Sequence, residues 1–581
     1  MSCRLATAIS LLAALTVAGR ATAVVPANPD KRPPSAYPPI TTLVPHVASS
    51  RFGMVVTNKP EASEAGARVL ESGGNAVDAA VAAALTLGSA EAGSSGIGGQ
   101  CYLLIRLANG HAVAVDGSVT APLRASHAEL QQLRDWDYMR GYQMAATPGA
   151  LAALALAVER YGTRPLAELL APAIDAAEFG SVGSAQQLAY LEKYTYKLRG
   201  SAYLNGLLFT DGFDLRDASY RYCFPDLAAT LRRIAALGPR EFYLGEIAAR
   251  IDADMAANRG YLRRDDLARY RPEERQPLRS TYRGYEVLSF PAPGGGAAAL
   301  ATLQILERFP PERLRAEGPD RAHLLLESVR LAQAAANELA WRRAPESLLL
   351  DPQRIGALAG RVRFDRALTA AEVAGRESTV RGEGLTTHVS VIDRWGNAVS
   401  LSQSIGRTFG GKAATPGLGF AYNGLLENYE YLDRSDANYL VPGRRPLTTM
   451  APTILVRDGR PYLVLGTPGT EQIPGAIATV IVDLVDRGMT LAQAVADARP
   501  LWGVHDVYPM SLELFTPADE ANGQALLDRG FPQPFVVRLP ARAIDVAAFG
   551  AVNAVLLDPT TGAMTGVGDP RRQAVAAGAS R

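Results

Sequence analysis

Thr386-Thr387-His388-Val389-Ser390-Val391-Ile392 and Ala398-Val399-Ser400-Leu401-Ser402-Gln403-Ser404 both alternate with a two-residue period, and Asp393-Arg394-Trp395-Gly396-Asn397 separates them. A period of two is the side-chain repeat of a strand, and a short Gly/Asn-bearing interruption closes a hairpin. Symmetric closure sets Thr386 opposite Ser404 and puts both on one face with His388, Ser390, Ser400 and Ser402. Periodicity alone reads such a hydroxyl-lined face as a solvated sheet surface.

Upstream of this hairpin the pattern is mainly helical. The spacing predicts a helix over residues 62–71, stopped by Gly73-Gly74, and a second over 76–87, capped by Asn75. The second is Ala/Val-rich on nearly every face, as a buried helix is. Gly93, Gly96, Gly98 and Gly99 then precede Tyr102-Leu103-Leu104-Ile105, a buried strand. A glycine loop before a strand has the wrong order for a nucleotide-binding motif and reads as a tightly packed turn. Helical periodicity dominates residues 149–257, and short strands alternate with helices beyond Tyr282. The class is α/β or α+β with layered sheets.

The bulk composition narrows the partners. Of 581 residues 48% are hydrophobic and 20% charged, and 59 basic residues balance 58 acidic ones, so there is no footprint for nucleic acid or an anionic membrane. Arg4, the apolar run 5–19 and Ala21-Thr22-Ala23 read as a signal peptide over residues 1–23, short for a membrane span, with a retained N-terminal anchor as the alternative; no stable membrane insertion is expected. Residues 24–51 are a Pro-rich extended leader, and the folded part is expected to begin near Phe52. Export leaves Cys101 and Cys223, which either pair or remain two thiols. The six histidines are scattered without ligand spacing, so neither a metal nor another cofactor is expected.

Several stretches, in order, resemble the gamma-glutamyltranspeptidase family of N-terminal nucleophile hydrolases. They include Gly73-Gly74-Asn75-Ala76-Val77-Asp78, Ser95-Gly96-Ile97-Gly98-Gly99, Ala146-Thr147-Pro148-Gly149, Thr386-Thr387-His388, Arg445-Pro446-Leu447-Thr448-Thr449-Met450 and Gly568-Asp569-Pro570-Arg571. No single stretch is specific; the ordered set covers residues 52–577. The resemblance implies a four-layer αββα sandwich, in which a large fragment (52–385) and a small fragment (386–581) form one domain as a heterodimer. It also implies self-cleavage between Leu385 and Thr386. The freed Thr386 then carries both a hydroxyl and an α-amine, and an amine with a pKa of about 7.7–8.0 is a general base suited to neutral pH.

By the same resemblance Ser404 hydrogen-bonds near the nucleophile, and the N–H groups of Gly469 and Thr470 match the oxyanion loop; Thr470 replaces the usual glycine. Thr448 and Thr449 match a hydroxyl pair that meets the α-carboxylate of a glutamyl donor. The remaining donor positions depart from the family. Ser118 stands where an arginine is usual, Gly406 where an asparagine is, and Leu425 and Asn428 at polar and acidic positions; a register slip would bring in Glu427 or Glu430. A lost arginine–carboxylate pair is worth about 1.5–3 kcal/mol per hydrogen bond. The short segment between Asn428 and Arg445 predicts a more open site.

The expected protein is therefore an exported, periplasmic or secreted enzyme that acts on a small amide or peptide through an acyl-threonine. Its substrate is a gamma-glutamyl amide such as glutathione, or alternatively a non-glutamyl amide of the cephalosporin-acylase or oxamate type. The reading from another class is a secreted binding paralogue without catalysis.

Overall fold

The hairpin forms as the alternation requires. Thr386–Asp393 and Ala398–Ser404 are antiparallel, with Thr386 opposite Ser404, His388 opposite Ser402 and Ser390 opposite Ser400. The computed structural model describes residues 39–133, 140–211, 214–217, 219–316, 318–373, 385–503 and 508–581. The signal peptide and the first part of the leader lie outside the described residues.

The hairpin is the centre of a seven-stranded sheet with the order Val575–Gly578, Gly53–Thr57, Thr386–Asp393, Ala398–Ser404, Gln100–Arg106, Ala112–Gly117, Glu273–Arg275. A second seven-stranded sheet runs His46–Ser50, Met564–Gly568, Asn553–Leu557, Arg460–Gly466, Thr453–Arg457, Tyr285–Ser289, Leu278–Tyr282. Its first strand corrects the sequence reading: His46–Ser50, inside the stretch taken as leader, pairs antiparallel with Met564–Gly568. An edge strand has one neighbour and a largely exposed side, so its sequence carries little apolar signal.

Alternation sorts each strand's side chains into two spaces. Ile392 and Ala398 point between the sheets with Met54, Leu104, Ile454 and Val464, whereas Val389, Val391, Val399 and Leu401 point into the core under the covering helices. A third core lies on the far side of the second sheet, under helices Gly296–Glu307, Pro319–Trp341 and Ile473–Val485. Three cores between four layers make the αββα sandwich. Each fully buried Val, Leu or Ile contributes roughly 1.5–3 kcal/mol.

The helix predicted over 76–87 extends over Ala76–Ala90, and all but one of its residues are buried. Asn75 accepts the N–H groups of Val77 at 2.9 Å and Asp78 at 3.0 Å, and Asp78 accepts the Asn75 N–H in return at 2.9 Å. This reciprocal cap satisfies donors that the buried helix end would otherwise orphan. The following glycine loop is the tight turn expected: a Cβ on Gly98 would lie 2.5 Å from the Ala421 carbonyl, and one on Gly99 would lie 2.3 Å from that of Ser404. Cys101, buried, and Cys223, partly exposed, are not joined to each other.

Candidate active site at the mouth of the hairpin

Thr386 begins its strand and is 4% exposed, with Ser404 directly across the ladder. The Ser404 hydroxyl donates to the carbonyl oxygen of Leu385 at 3.1 Å and accepts the N–H of Gly406 at 2.9 Å. A hydroxyl already polarised by a backbone donor is a better donor itself. It is aimed at the carbonyl of the bond that precedes Thr386. Gly406, at φ 90°, lies in the region that favours glycine.

The hydroxyl-lined face is not solvated. His388, Ser390, Ser400 and Ser402 are each at most 1% exposed, because the second sheet packs on them. Two of them are satisfied across the gap: Ser390 Oγ donates to the Asn553 carbonyl at 3.0 Å, and Ser400 Oγ to that of Leu465 at 2.9 Å. His388 Nδ1 pairs with Ser402 Oγ at 2.8 Å and Nε2 with Ser390 Oγ at 3.1 Å. Burial lowers the His388 pKa to about 3, so the ring is neutral and uses one nitrogen as donor and the other as acceptor. A Cβ on Gly466 would come within 2.2 Å of the His388 ring, so the second sheet seats on the histidine only because residue 466 has no side chain.

Gly466 leads into the loop with Gly469 and Thr470. Gly469, at φ 145°, has the conformation of a glycine. The Thr470 N–H donates to Gln472 Oε1 at 3.1 Å, and the Thr470 hydroxyl meets the same atom at 2.8 Å. Gln472 Nε2 in turn holds the Ala548 carbonyl at 3.0 Å. One residue away, Arg572 Nη2 reaches the Ala547 carbonyl at 3.3 Å and Arg572 Nη1 the Thr386 carbonyl at 3.3 Å. Thus Ala547-Ala548 joins the loop to Thr386 through Gln472 and Arg572. Neither residue was singled out from the sequence, since their contacts span segments far apart in the chain.

Arg572 follows a cluster of buried charges in the chain. Asp569 Oδ2 pairs with Arg499 at 2.6 Å and Oδ1 with Arg571 at 3.3 Å, and Arg571 also grips Glu513 at 2.5 Å; all four side chains are fully buried. Asp569 also accepts the N–H groups of Val552 at 2.8 Å and Arg571 at 2.9 Å. Burial opposes its ionisation, yet Arg499 and Arg571 hold its carboxyl below the usual range. On the helix side of Thr387, burial raises the Glu91 carboxyl and lowers the Lys59 ammonium and the Arg572 guanidinium.

The expected donor-binding positions are largely committed to internal contacts. Ser118 follows the strand beside Gln100, itself opposite Ser404, so it lies in the same row as Thr386. Its hydroxyl, however, is bonded to Tyr102 OH at 2.7 Å and to the Asp116 carboxylate. Arg445 Nη1 comes to 3.4 Å from the Ser118 carbonyl, but its guanidinium is paired with Asp116 at 3.2 Å and Glu273 at 3.1 Å. The turn Leu425–Asn428 covers Gly406; Glu427 there is ion-paired with Arg407, and Glu430 accepts the Leu432 N–H at 2.7 Å. Asn428 is 5% exposed, and its Oδ1 has no partner among the described residues. Thr448 donates its N–H to Pro293 at 2.8 Å, and Thr449 lies against Gly295. Both precede Thr453, whose N–H reaches Ser400 Oγ at 3.1 Å. Leu425, Tyr429, Tyr431 and Leu440 pack against Val119, Leu130 and Met144 as a core of their own.

The layered sheets, with a buried Thr at the start of the central hairpin, define an enzyme of the N-terminal nucleophile hydrolase class. The model of the gamma-glutamyltranspeptidase family matches residues 62–579, and the chain belongs to that family. It is 36% identical to the acylase ACY 1 proenzyme of Pseudomonas sp. strain V22 over 89% of this chain and 92% of that one. It is 31% identical to the glutathione hydrolase proenzyme of Pseudomonas sp. strain A14 over 90% and 93% of the two chains. Among solved structures, cephalosporin acylase from Bacillus halodurans superposes with a TM-score of 0.80 at 28% identity, covering 96% of this chain and 100% of that chain. The activity is accordingly gamma-glutamyltransferase-like or acylase-like. Among the described residues no helix is long and apolar enough to cross a membrane.

Proposed function

We propose that the chain cuts itself between Leu385 and Thr386 and then acts as an amidohydrolase or acyltransferase through an acyl-Thr386 ester. The observation that carries this reading is the Ser404 hydroxyl on the Leu385 carbonyl, 3.1 Å away, beside the buried Thr386. In the first reaction Thr386 Oγ attacks the Leu385 carbonyl carbon while Ser404 stabilises the charge that develops on its oxygen. The C–N bond breaks, and the hydroxyl proton passes to the leaving nitrogen. Water then hydrolyses the ester to a Leu385 carboxylate and a free Thr386.

In turnover the new α-amine takes the hydroxyl proton, Oγ attacks the substrate carbonyl, and the resulting ammonium protonates the departing amine. Water, or a second amine, releases the acyl group. The N–H groups of Gly469 and Thr470 are the oxyanion donors of this second reaction; for Thr470 this requires Gln472 to give up its present hydrogen bond. Thr448, Thr449, Gly406 and Asn428 border the substrate. The mature protein is then a heterodimer of residues 24–385 and 386–581, exported after loss of residues 1–23.

Two specificities compete, and one observation favours the acylase. With the Ser118 hydroxyl tied to Tyr102 and Asp116, and Glu427 paired with Arg407, the zwitterionic end of a gamma-glutamyl group would meet committed partners. Purified protein on a denaturing gel should give two fragments, with the smaller one reading Thr386-Thr387-His388 by N-terminal sequencing. An intact chain that turns over amides would overturn the proposal.

A further inference from the structure

Three charged side chains are buried where the first strand of the hairpin begins. Arg572 is 2% exposed, and its Nη1 donates to the Thr386 carbonyl at 3.3 Å. Glu91, 1% exposed, lies beside the hydroxyls of Thr387 and Ser94, and its Oε2 has no partner among the described residues. Lys59, 4% exposed, is a second cation acting on Glu91 and donates to the Val182 carbonyl at 2.7 Å. This placement works against stability. Buried charges are costly even when countered, and Glu91 also caps the C-terminal end of helix Ala76–Ala90, where the helix dipole disfavours an acid. Such a cluster beside a nucleophile is a place where ionisation is tuned.

Resting on the reading of Thr386 as a new chain terminus, we propose that Arg572 and Lys59 act through their charge to keep the freed Thr386 amine neutral at neutral pH, and that Glu91 moderates their field. In the uncut chain the Thr386 nitrogen is an amide and carries no charge to tune. Once freed, it can take the hydroxyl proton only while it is itself unprotonated. The carbonyl and the nitrogen of one residue are joined through Cα alone, so Arg572 Nη1 lies at most about 7 Å from that nitrogen. A like charge so near, in a buried site, disfavours the ammonium. The other charges nearby leave this field standing. Asp569 acts on Arg572 but is already shared by Arg499 and Arg571, and Tyr190 lies beside Arg572 as well. Glu61 acts on Lys59, whereas Arg407 and Glu427, beyond Gly406, are paired with each other. His388 is neutral.

The test uses the processed two-fragment protein and reads the pH at which half of the Thr386 amine is uncharged. One readout is the rate of carbamylation by cyanate, located by mass spectrometry at the N-terminus of the small fragment; the other is the acid limb of kcat/KM on a phenylalkanoyl anilide. In the native protein the midpoint should fall below the value of about 7.7–8.0 of an ordinary α-amine. Arg572→Met should raise it by about one pH unit and Lys59→Met by less, whereas Arg572→Lys, which keeps the charge, should stay closer to the native value. Glu91→Gln should lower it. Melting temperature and the two-fragment pattern identify a variant that fails to fold or to cut itself, and the remaining variants then decide. A native midpoint at or above about 8, no shift in Arg572→Met and Lys59→Met, or shifts of one sign in all variants overturns the tuning while leaving Thr386 as nucleophile. Absence of the two fragments in the native protein, with amide turnover undiminished, instead removes the reading of Thr386 itself.

Discussion

The space between the two sheets has two ends built on opposite physics. Near the hairpin turn, Ile392 and Ala398 meet Ile454, Val464 and Met54, a dry apolar packing. Two to four residues along the same strands, Ser390 and Ser400 are hydrogen-bonded across the gap, and His388 binds Ser390 and Ser402 within the hairpin. The first end holds the sheets together without direction; the second fixes them in one register, since each hydroxyl has a named carbonyl or ring nitrogen to meet. The difference shows how a hairpin fixes the residues at its mouth. Apolar packing supplies the adhesion, and the polar end sets the position of Thr386 and Ser404 at its mouth.

The comparison breaks most visibly at that mouth. Ser404→Ala removes the donor to the Leu385 carbonyl and should slow self-cleavage about 10²–10³-fold, followed as the appearance of two fragments over time on denaturing gels. Ile392→Ala, at the apolar end, should instead cost about 2–5 kcal/mol of stability in denaturant titration of the Thr386→Ala chain, while cleavage in the otherwise native chain proceeds. Ser402→Ala at the polar end leaves His388 Nδ1 without its partner and should cost about 1–3 kcal/mol, and it should also disturb cleavage. Equal effects of Ile392→Ala and Ser402→Ala on cleavage would show that the two ends are not distinct.

The smallest effect per step is that of pH. With its pKa lowered to about 3 by burial, His388 stays neutral in the fold while the unfolded chain takes up a proton below about 6.5. Its contribution is therefore intact above pH 6.5 and is lost as pH falls toward 3, at about 1.4 kcal/mol per unit. His323, lowered to about 4 by burial and then by Arg529, adds a loss of the same sign over a narrower window. Melting temperature recorded from pH 7 to pH 4 should fall throughout, less steeply in His323→Phe.

Much of this arrangement was legible in the sequence. The two-residue period and its short interruption put Thr386 opposite Ser404, and Asn75 announced its helix, because both signals are local. The four layers came from family resemblance. What stayed hidden depends on distant partners. An alternating hydroxyl face reads the same whether water or a second sheet covers it, so the burial of His388 needed Gly466, which lies 78 residues further on. The strand His46–Ser50 needed Met564–Gly568, and the roles of Arg572 and Gln472 arise only when separate segments are brought together. Ser118 was legible as a departure, but not as a hydroxyl already occupied by Tyr102.

The hairpin Thr386–Ser404 sits between Gly53–Thr57 and Gln100–Arg106, both from the chain ahead of the cut. Severing the chain at residue 386, as proposed, would leave that weave intact but change what its loss means, because two molecules would then have to find each other again before a central strand pair could be reinserted. Recovery from denaturant should depend on concentration for the nicked protein and not for the Thr386→Ala chain; the proposed cut would then be a one-way passage from a refoldable precursor to an enzyme protected mainly by its slow unfolding.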